Sequence, residues 1–382
     1  MKTGPLPRLL TALLLMTCLA LPAAADSPLE TLLAQVPASA FETGHISYID
    51  YQALVAARPG AKAPPDTGDI PAYQATPEGQ AYFLAMQGAA SGSSAMTMAL
   101  FLADEMAEMS GINPFRVAQS LEAGAPPSQQ LWLQGGMDPA AVTAALQRQD
   151  YQASGGTGAW ALWCEGGACE NGARIDFSRR DPAFLFGGDL GRRWPVVLGA
   201  DRLASSPDGG VIRQIAAAQG PALLDLPEVR DVLAAVSSFP GSDQVTQFQL
   251  FAPETLNIMT QHTFGAIGLF QLDTPESQRV VLALHYPEPA AAMDALRHFE
   301  AALPSAQLAT GQPLMALVEN QAGSLEPLFM REPEGGAAVL IIPFLFPSQA
   351  QAATLKPDSP SAVPFALFRN MVLKRDMDWL AQ

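Results

Sequence analysis

Residues 130–149 read QLWLQGGMDPAAVTAALQRQ, and a close counterpart returns at 281–303 as VLALHYPEPAAAMDALRHFEAAL. In both, an apolar run rich in strand formers reaches an acid followed by proline, Asp138-Pro139 and Glu288-Pro289. The shared pattern acid-Pro-Ala-Ala-x-x-x-Ala-Leu follows. Proline in the first helical turn sacrifices no hydrogen bond, because its missing N–H would be unpaired there, and the acid before it complements the positive end of the helix. The spacing therefore predicts a strand-to-helix unit used twice.

Outward from the first copy, strand-like runs are expected at 160–164, 174–177 and 196–200, with helices over 210–219 and 227–236. Upstream the pattern predicts a helix over 28–35, a strand over 45–51 and a helix that Asp50 caps. An irregular crossing rich in Pro and Gly follows at 59–77, then a mostly helical stretch over 78–111 interrupted at 88–94, and a short helix over 114–124. Downstream, strands are expected at 245–251, 264–272 and 279–286. Past the second copy, strands are expected at 314–319, 328–331 and 338–343, and a closing helix over 364–380. The run AAVLIIPFLF is too short to cross a bilayer and reads as a buried strand.

Both copies thus sit in a succession of strand, helix, several strands, then helix. The fold class expected is α+β, with two similar halves, each a mostly antiparallel sheet with helices packed on one face. The divisions are 1–25, a signal peptide; 26–110, mostly helical with one early strand; 111–240, the first half; and 241–382, the second, with SSFPG at 237–241 as the boundary.

The opening stretch has a basic start (Lys2, Arg8), an apolar core over 9–21 and Ala23-Ala24-Ala25 before Asp26. It reads as an export signal cleaved near Ala25, which addresses the chain to the periplasm or the medium with no transmembrane span remaining. Cys18 offers an alternative as a lipidated cysteine, although Thr17 fits such a processing site poorly. Cleavage takes away Lys2 and Arg8 and no acid, which carries the net charge from −16 to −18 and leaves 357 of the 382 residues. So acidic a chain repels nucleic acid and anionic headgroups. With 49% hydrophobic and 15% charged residues it buries a sizeable core.

The order from MSGINPFRVAQSLEAGAPP into a strand, a Pro-Ala-Ala helix and a strand ending in GADRLASSP before a helix resembles a layout seen in uncharacterised exported bacterial proteins over residues 109–219. That resemblance implies a fold type and no activity.

Cys164 and Cys169 bracket a Gly-rich turn, WCEGGACENG, and in an exported chain read as a disulfide across a hairpin loop. Neither the C-x4-C spacing nor the neighbouring residues complete a metal site. No nucleophile-elbow, zinc-protease, P-loop or dinucleotide motif occurs, and no cofactor is expected. An enzyme would draw on His45, His262, His285 and His298. The most suggestive grouping is Asp294 with His298 on the second repeated helix, His285 on the strand before it, and Ser205 or Ser206 as a nucleophile. Against it, Met293, Leu296, Phe299 and Leu303 form the helix's apolar stripe, which turns Asp294, Arg297 and His298 to solvent as a charge cluster.

Met96, Met98, Met106 and Met109 could bind Cu(I) through soft thioethers. The spacing of Met98, Leu102, Met106 and Met109 on one helical face favours core packing, or a greasy groove. Trp132, Trp160, Trp163, Trp194 and Trp379 read as core rather than a sugar platform. The reading favoured is an exported, non-catalytic binding or scaffolding protein for another envelope protein or an apolar ligand. The alternatives are an envelope hydrolase with a His/carboxylate site and Met-based Cu(I) handling.

Overall fold

The structure, a computed structural model, describes residues 27–90, 101–239, 241–242, 245–253, 264–333, 336–358 and 363–374. The signal stretch with Cys18 and Ala25, Met96, Met98, His262 and Trp379 lie outside them.

Strands are β1 His45–Asp50, β2 Gln119–Gly124, β3 Gln130–Gln134, β4 Tyr151–Gly155, β5 Ala161–Glu165, β6 Val196–Leu198 and β7 Arg202–Ser205. They continue as β8 Val245–Phe251, β9 Ala266–Asp273, β10 Ser277–Tyr286, β11 Ser324–Leu325, β12 Phe329–Arg331 and β13 Ala338–Pro347. Among the described residues all thirteen belong to one sheet, in the order β11-β13-β10-β9-β8-β1-β2-β3-β7-β6-β5-β4, with β12 also on β13. Every described pairing is antiparallel.

β1 lies between β2 and β8, so the two strand–helix units occupy opposite wings of one sheet. Going outward, β1-β2-β3-β7 and β8-β9-β10-β13 follow the same order. In each, two antiparallel neighbours are followed by a strand that feeds the Pro-Ala-Ala helix, and a later strand returns beside that one.

Side chains of successive strand residues point to opposite faces, and the apolar ones divide accordingly. On β10, Val280, Leu282, Leu284 and Tyr286 join one core cluster, while Val281 and Ala283 join the other. The first cluster is covered by helices Tyr51–Ala57, Pro77–Ala90, Ala103–Ser110, Pro139–Arg148, Pro289–Ala302, Leu314–Glu319 and Val363–Leu373. The second is covered by Pro28–Leu33, Ser39–Thr43, Gly209–Ala217 and Pro227–Val236. Helices thus cover both faces of one sheet, where one face of each of two sheets was expected. The physical reason is that β3, β9, β10 and β13 carry apolar side chains on both faces, and a sheet face rich in Ile, Leu and Phe needs a cover.

Three further expectations are corrected. Residues 314–319 form a helix, with Leu314 and Val318 buried four apart, a helical period that outweighs the apolar run's strand-like look. Residues 114–124 are not one helix. Asn113 caps a single 3-10 turn, Pro114–Arg116, and β2 follows because β1 and β3 pair with it on both edges. Non-local pairing overrides local propensity there. Residues 174–177 form no strand, and the 3-10 turn Phe177–Arg179 lies there instead, with Phe177 exposed and offering a sheet no apolar face to bury. The crossing at 59–77 also holds a short helix, Ile70–Gln74, that Asp69 caps.

Gly111 stops the helix Ala103–Ser110 at φ +71, and a Cβ there would lie 2.5 Å from the Ala141 carbonyl oxygen of the repeated helix. Any side chain would push the two helices apart.

Candidate functional site

The structure separates the sequence-predicted catalytic residues. His285 lies on β10, 6% exposed, with Nε2 3.3 Å from Oδ2 of Asp231 on the helix Pro227–Val236. Among the described residues its Nδ1 has no hydrogen-bond partner, and it rests against Gly265, where a Cβ would sit 2.9 Å away. By strand alternation His285 faces the side that Pro227–Val236 covers. His298, on Pro289–Ala302, packs on the opposite side of the sheet. The His298 ring meets Phe299 edge-on at 5.3 Å, and Asp294 bonds Arg297 at 3.2 Å with both side chains largely exposed. The buried face of that helix is Ala292, Ala295 and Phe299, continued by Leu303; Met293 and Leu296 are only partly covered.

Ser205 is in the other wing, fully buried, with Oγ donating to the Pro195 carbonyl at 2.9 Å. Ser206 Oγ accepts from the Asp208 N–H at 3.2 Å. His285 is therefore brought together with Asp231, a residue that sequence reading did not single out, and not with Ser205. His45 stacks on Phe251 at 5.8 Å, and burial, then the Arg369 charge, lowers its pKa from the ordinary histidine value.

Met106 is fully buried in the first cluster with Tyr82, Phe83 and Met86. Met109 is partly buried, its Sδ accepting from Gln149 Nε2 at 3.8 Å. Cys164 and Cys169 are joined as a disulfide, both buried, at the turn that follows β5. Among the described residues no three or more His, Cys, Asp or Glu side chains are grouped to hold a metal ion, and no helix is long and apolar enough to cross a membrane.

A different site is assembled at the end of the second wing. Gln278, the second residue of β10, stands opposite Phe346, near the end of β13. The helices Gln349–Leu355 and Val363–Leu373 follow β13 and contribute Gln349, Leu355, Val363 and Pro364 to the walls of a cleft of about 550 Å³, its open mouth included. Arg58, which ends the helix Tyr51–Ala57, and Lys356 complete it.

Behind the cleft lies a buried polar relay. Asp273 accepts from Thr246 Oγ1 at 2.7 Å, Gln271 Nε2 at 2.8 Å, Gln278 Nε2 at 3.0 Å and Gln349 Nε2 at 3.4 Å. Gln247 Nε2 in turn donates to Gln271 Oε1 at 2.9 Å. Burial pushes the Asp273 carboxyl above its ordinary range, and the four hydrogen bonds work against that shift. The side chains of Gln278 and Gln349 are thereby held in place at the cleft wall. Sequence reading missed these residues. The available signal was glutamine at alternate positions of a strand, Gln247 and Gln249, a polar stripe where a buried face was due.

No family profile and no curated protein matches the chain. Among solved structures, crystal form I of TP0453 aligns with a TM-score of 0.30 and 8% identity, covering 85% of this chain and 97% of that one. Form III aligns at 0.31 and 8% over 84% and 97%, and form IV at 0.34 and 8% over 84% and 95%. Likeness of that size carries no argument about ligand or activity.

Proposed function

We propose that this chain is an exported, periplasmic or secreted, non-catalytic binding or scaffolding protein, built from a duplicated strand–helix unit, that takes an apolar ligand or a segment of another envelope protein. The observation that carries this reading is the cleft beside β10 and β13, whose apolar walls are joined by two amide side chains anchored to a buried carboxylate. Concave, mostly apolar sites with a few polar groups already held in place are what binding requires. The equal order of β1-β2-β3-β7 and β8-β9-β10-β13 supports the duplication. The apolar packing of Met106 supports a core role for the methionines. The Nδ1 of His285 abuts a backbone glycine, which supports a packing role for that histidine.

The test is saturable binding of an environment-sensitive apolar dye to the mature protein, and its loss when Ala352→Trp fills the cleft. Multiple-turnover hydrolysis of an ester panel, abolished by His285→Ala in a folded variant, would overturn the non-catalytic reading. Sequencing the N-terminus of exported protein tests the address, and Asp26 is the expected first residue.

A further inference from the structure

Gln278 and Gln349 are 2% and 3% exposed, and both line the cleft. Each donates through Nε2 to Oδ1 of Asp273, while Thr246 and Gln271 donate to Oδ2. The carboxyl thereby fixes both amides with nitrogen inward and carbonyl outward. Among the described residues nothing donates to Oε1 of either glutamine, and neither oxygen is sealed from solvent. Two acceptors, held in place from behind, therefore open into an apolar cavity. An occupant that expels their water without donating to them leaves both unpaired, which weakens its binding.

The remaining walls narrow the choice. Phe346, Pro347, Val363 and Pro364 are apolar, and at the mouth Leu355 is 66% exposed, a large apolar side chain left in water where an occupant would cover it. Asn320 and Gln321 add two more amides. Among the described residues no carboxylate lines the cleft, and Lys356 is exposed at its mouth, with Nζ donating to the Asn320 carbonyl at 3.2 Å. Arg58, 5% exposed, belongs to the frame, its Nη2 donating to the Pro357 carbonyl at 3.0 Å. A cationic occupant would meet Lys356 and no counter-charge, an anionic head would meet the deep carbonyl oxygens, and a plain hydrocarbon would leave those oxygens dry. The occupant that fits is uncharged and apolar and carries N–H donors. An extended peptide supplies both, since its backbone repeats N–H and C=O groups that side-chain amides match.

We infer that this cleft takes an uncharged, extended apolar peptide segment of about three residues, its backbone N–H groups donating to Oε1 of Gln278 and Gln349 and its side chains lying against Phe346 and Pro364. The inference rests on the binding-protein reading above and chooses the protein segment over the small apolar ligand.

The experiment is calorimetric titration of the mature protein with N-acetyl-Val-Leu-Val-amide, with the same peptide methylated at every backbone nitrogen, and with octanamide. The unmodified peptide is expected to bind saturably, one per chain, and the methylated one about tenfold or more weaker, since it keeps the side chains and lacks the donors. Gln349 makes the longest of the four bonds to Asp273, 3.4 Å, so the fold loses least by its replacement. Gln349→Met is expected to weaken the unmodified peptide about tenfold and the methylated one little, and Ala352→Trp to abolish binding of both. Equal affinity for the two peptides, an undiminished gap between them in Gln349→Met, or binding retained in Ala352→Trp would overturn the inference. Octanamide that binds as tightly as the peptide would also overturn it and assign the cleft to a small amide. If the peptide fails while the apolar dye still binds at the cleft, the peptide is wrong and the binding-protein reading survives; if both fail, both readings fall.

Discussion

In the first wing Asp138 caps its helix, Oδ1 accepting from the Ala140 N–H at 2.9 Å, after a strand of five residues and before a helix of ten. In the second wing Glu288 occupies the same place and makes no side-chain capping bond, yet its strand has ten residues and its helix fourteen. The short Asp side chain reaches the free amide of the first turn, whereas the longer Glu side chain makes no such bond. What the second copy lacks locally is offset by burial of Ala292, Ala295, Phe299 and Leu303 against β10 and β13. A shared sequence pattern thus sets where a helix begins, and the interactions that hold it there differ between copies.

The sharpest way to break this comparison is to empty each helix's core contact. Phe299→Ala is expected to destabilise the protein by about 3–5 kcal/mol and Leu146→Ala by about 2–5 kcal/mol, measured by urea unfolding. Because β1 and β8 join the wings in one sheet, both variants should unfold in a single transition. Two separate transitions would show the wings to be independent units. Met106→Ala, whose side chain lies in the same cluster, is expected to cost about 2–5 kcal/mol, and a neutral result would remove it from the core.

The next effect belongs to the first wing alone. Replacing Cys164 and Cys169 by serine is expected to cost about 2 kcal/mol, the loop-closure value for so short a turn. Free-thiol labelling of both cysteines in unreduced, unfolded wild-type protein would rule out the bond. Smaller still is the cap difference. Asp138→Ala should cost about 1 kcal/mol and Glu288→Ala less than about 0.5 kcal/mol, and equal losses would erase the distinction drawn above.

The second wing carries a pH signature through Asp273. Its carboxyl is raised above the ordinary value of 3.8, so the native state holds the proton more tightly than the unfolded chain. Stability should therefore fall as pH rises from about 3.8 to the folded-state pKa and level off above it. Asp273→Asn should flatten that segment of the stability–pH curve, and an unchanged slope would mean that the carboxyl titrates normally.

Much of the architecture was legible in advance. Helix 227–236 and strand 245–251 fall where their periodicity predicts, because an amphipathic period needs no distant partner to be recognised. The site was less legible. Gln278, Gln349 and Arg58 are distant in sequence and converge only when β10 pairs with β13, and nothing in any one of their segments marks it as a wall. His285 was noticed as a titratable residue, but its partner Asp231 is 54 positions away on a helix that reads as ordinary core cover.

By itself the sequence determined the two strand–helix units, their proline starts, the cap of Asp50 and the cysteine-bracketed turn, since each depends on neighbours within a few residues. Only the tertiary structure decided that the wings share one sheet, that helices cover both its faces, that 119–124 is a strand and 314–319 a helix, and that two cations meet at one apolar cleft. Those outcomes depend on pairing and burial between residues far apart in the chain, where the free energy of a shared core outweighs the preference of any local segment.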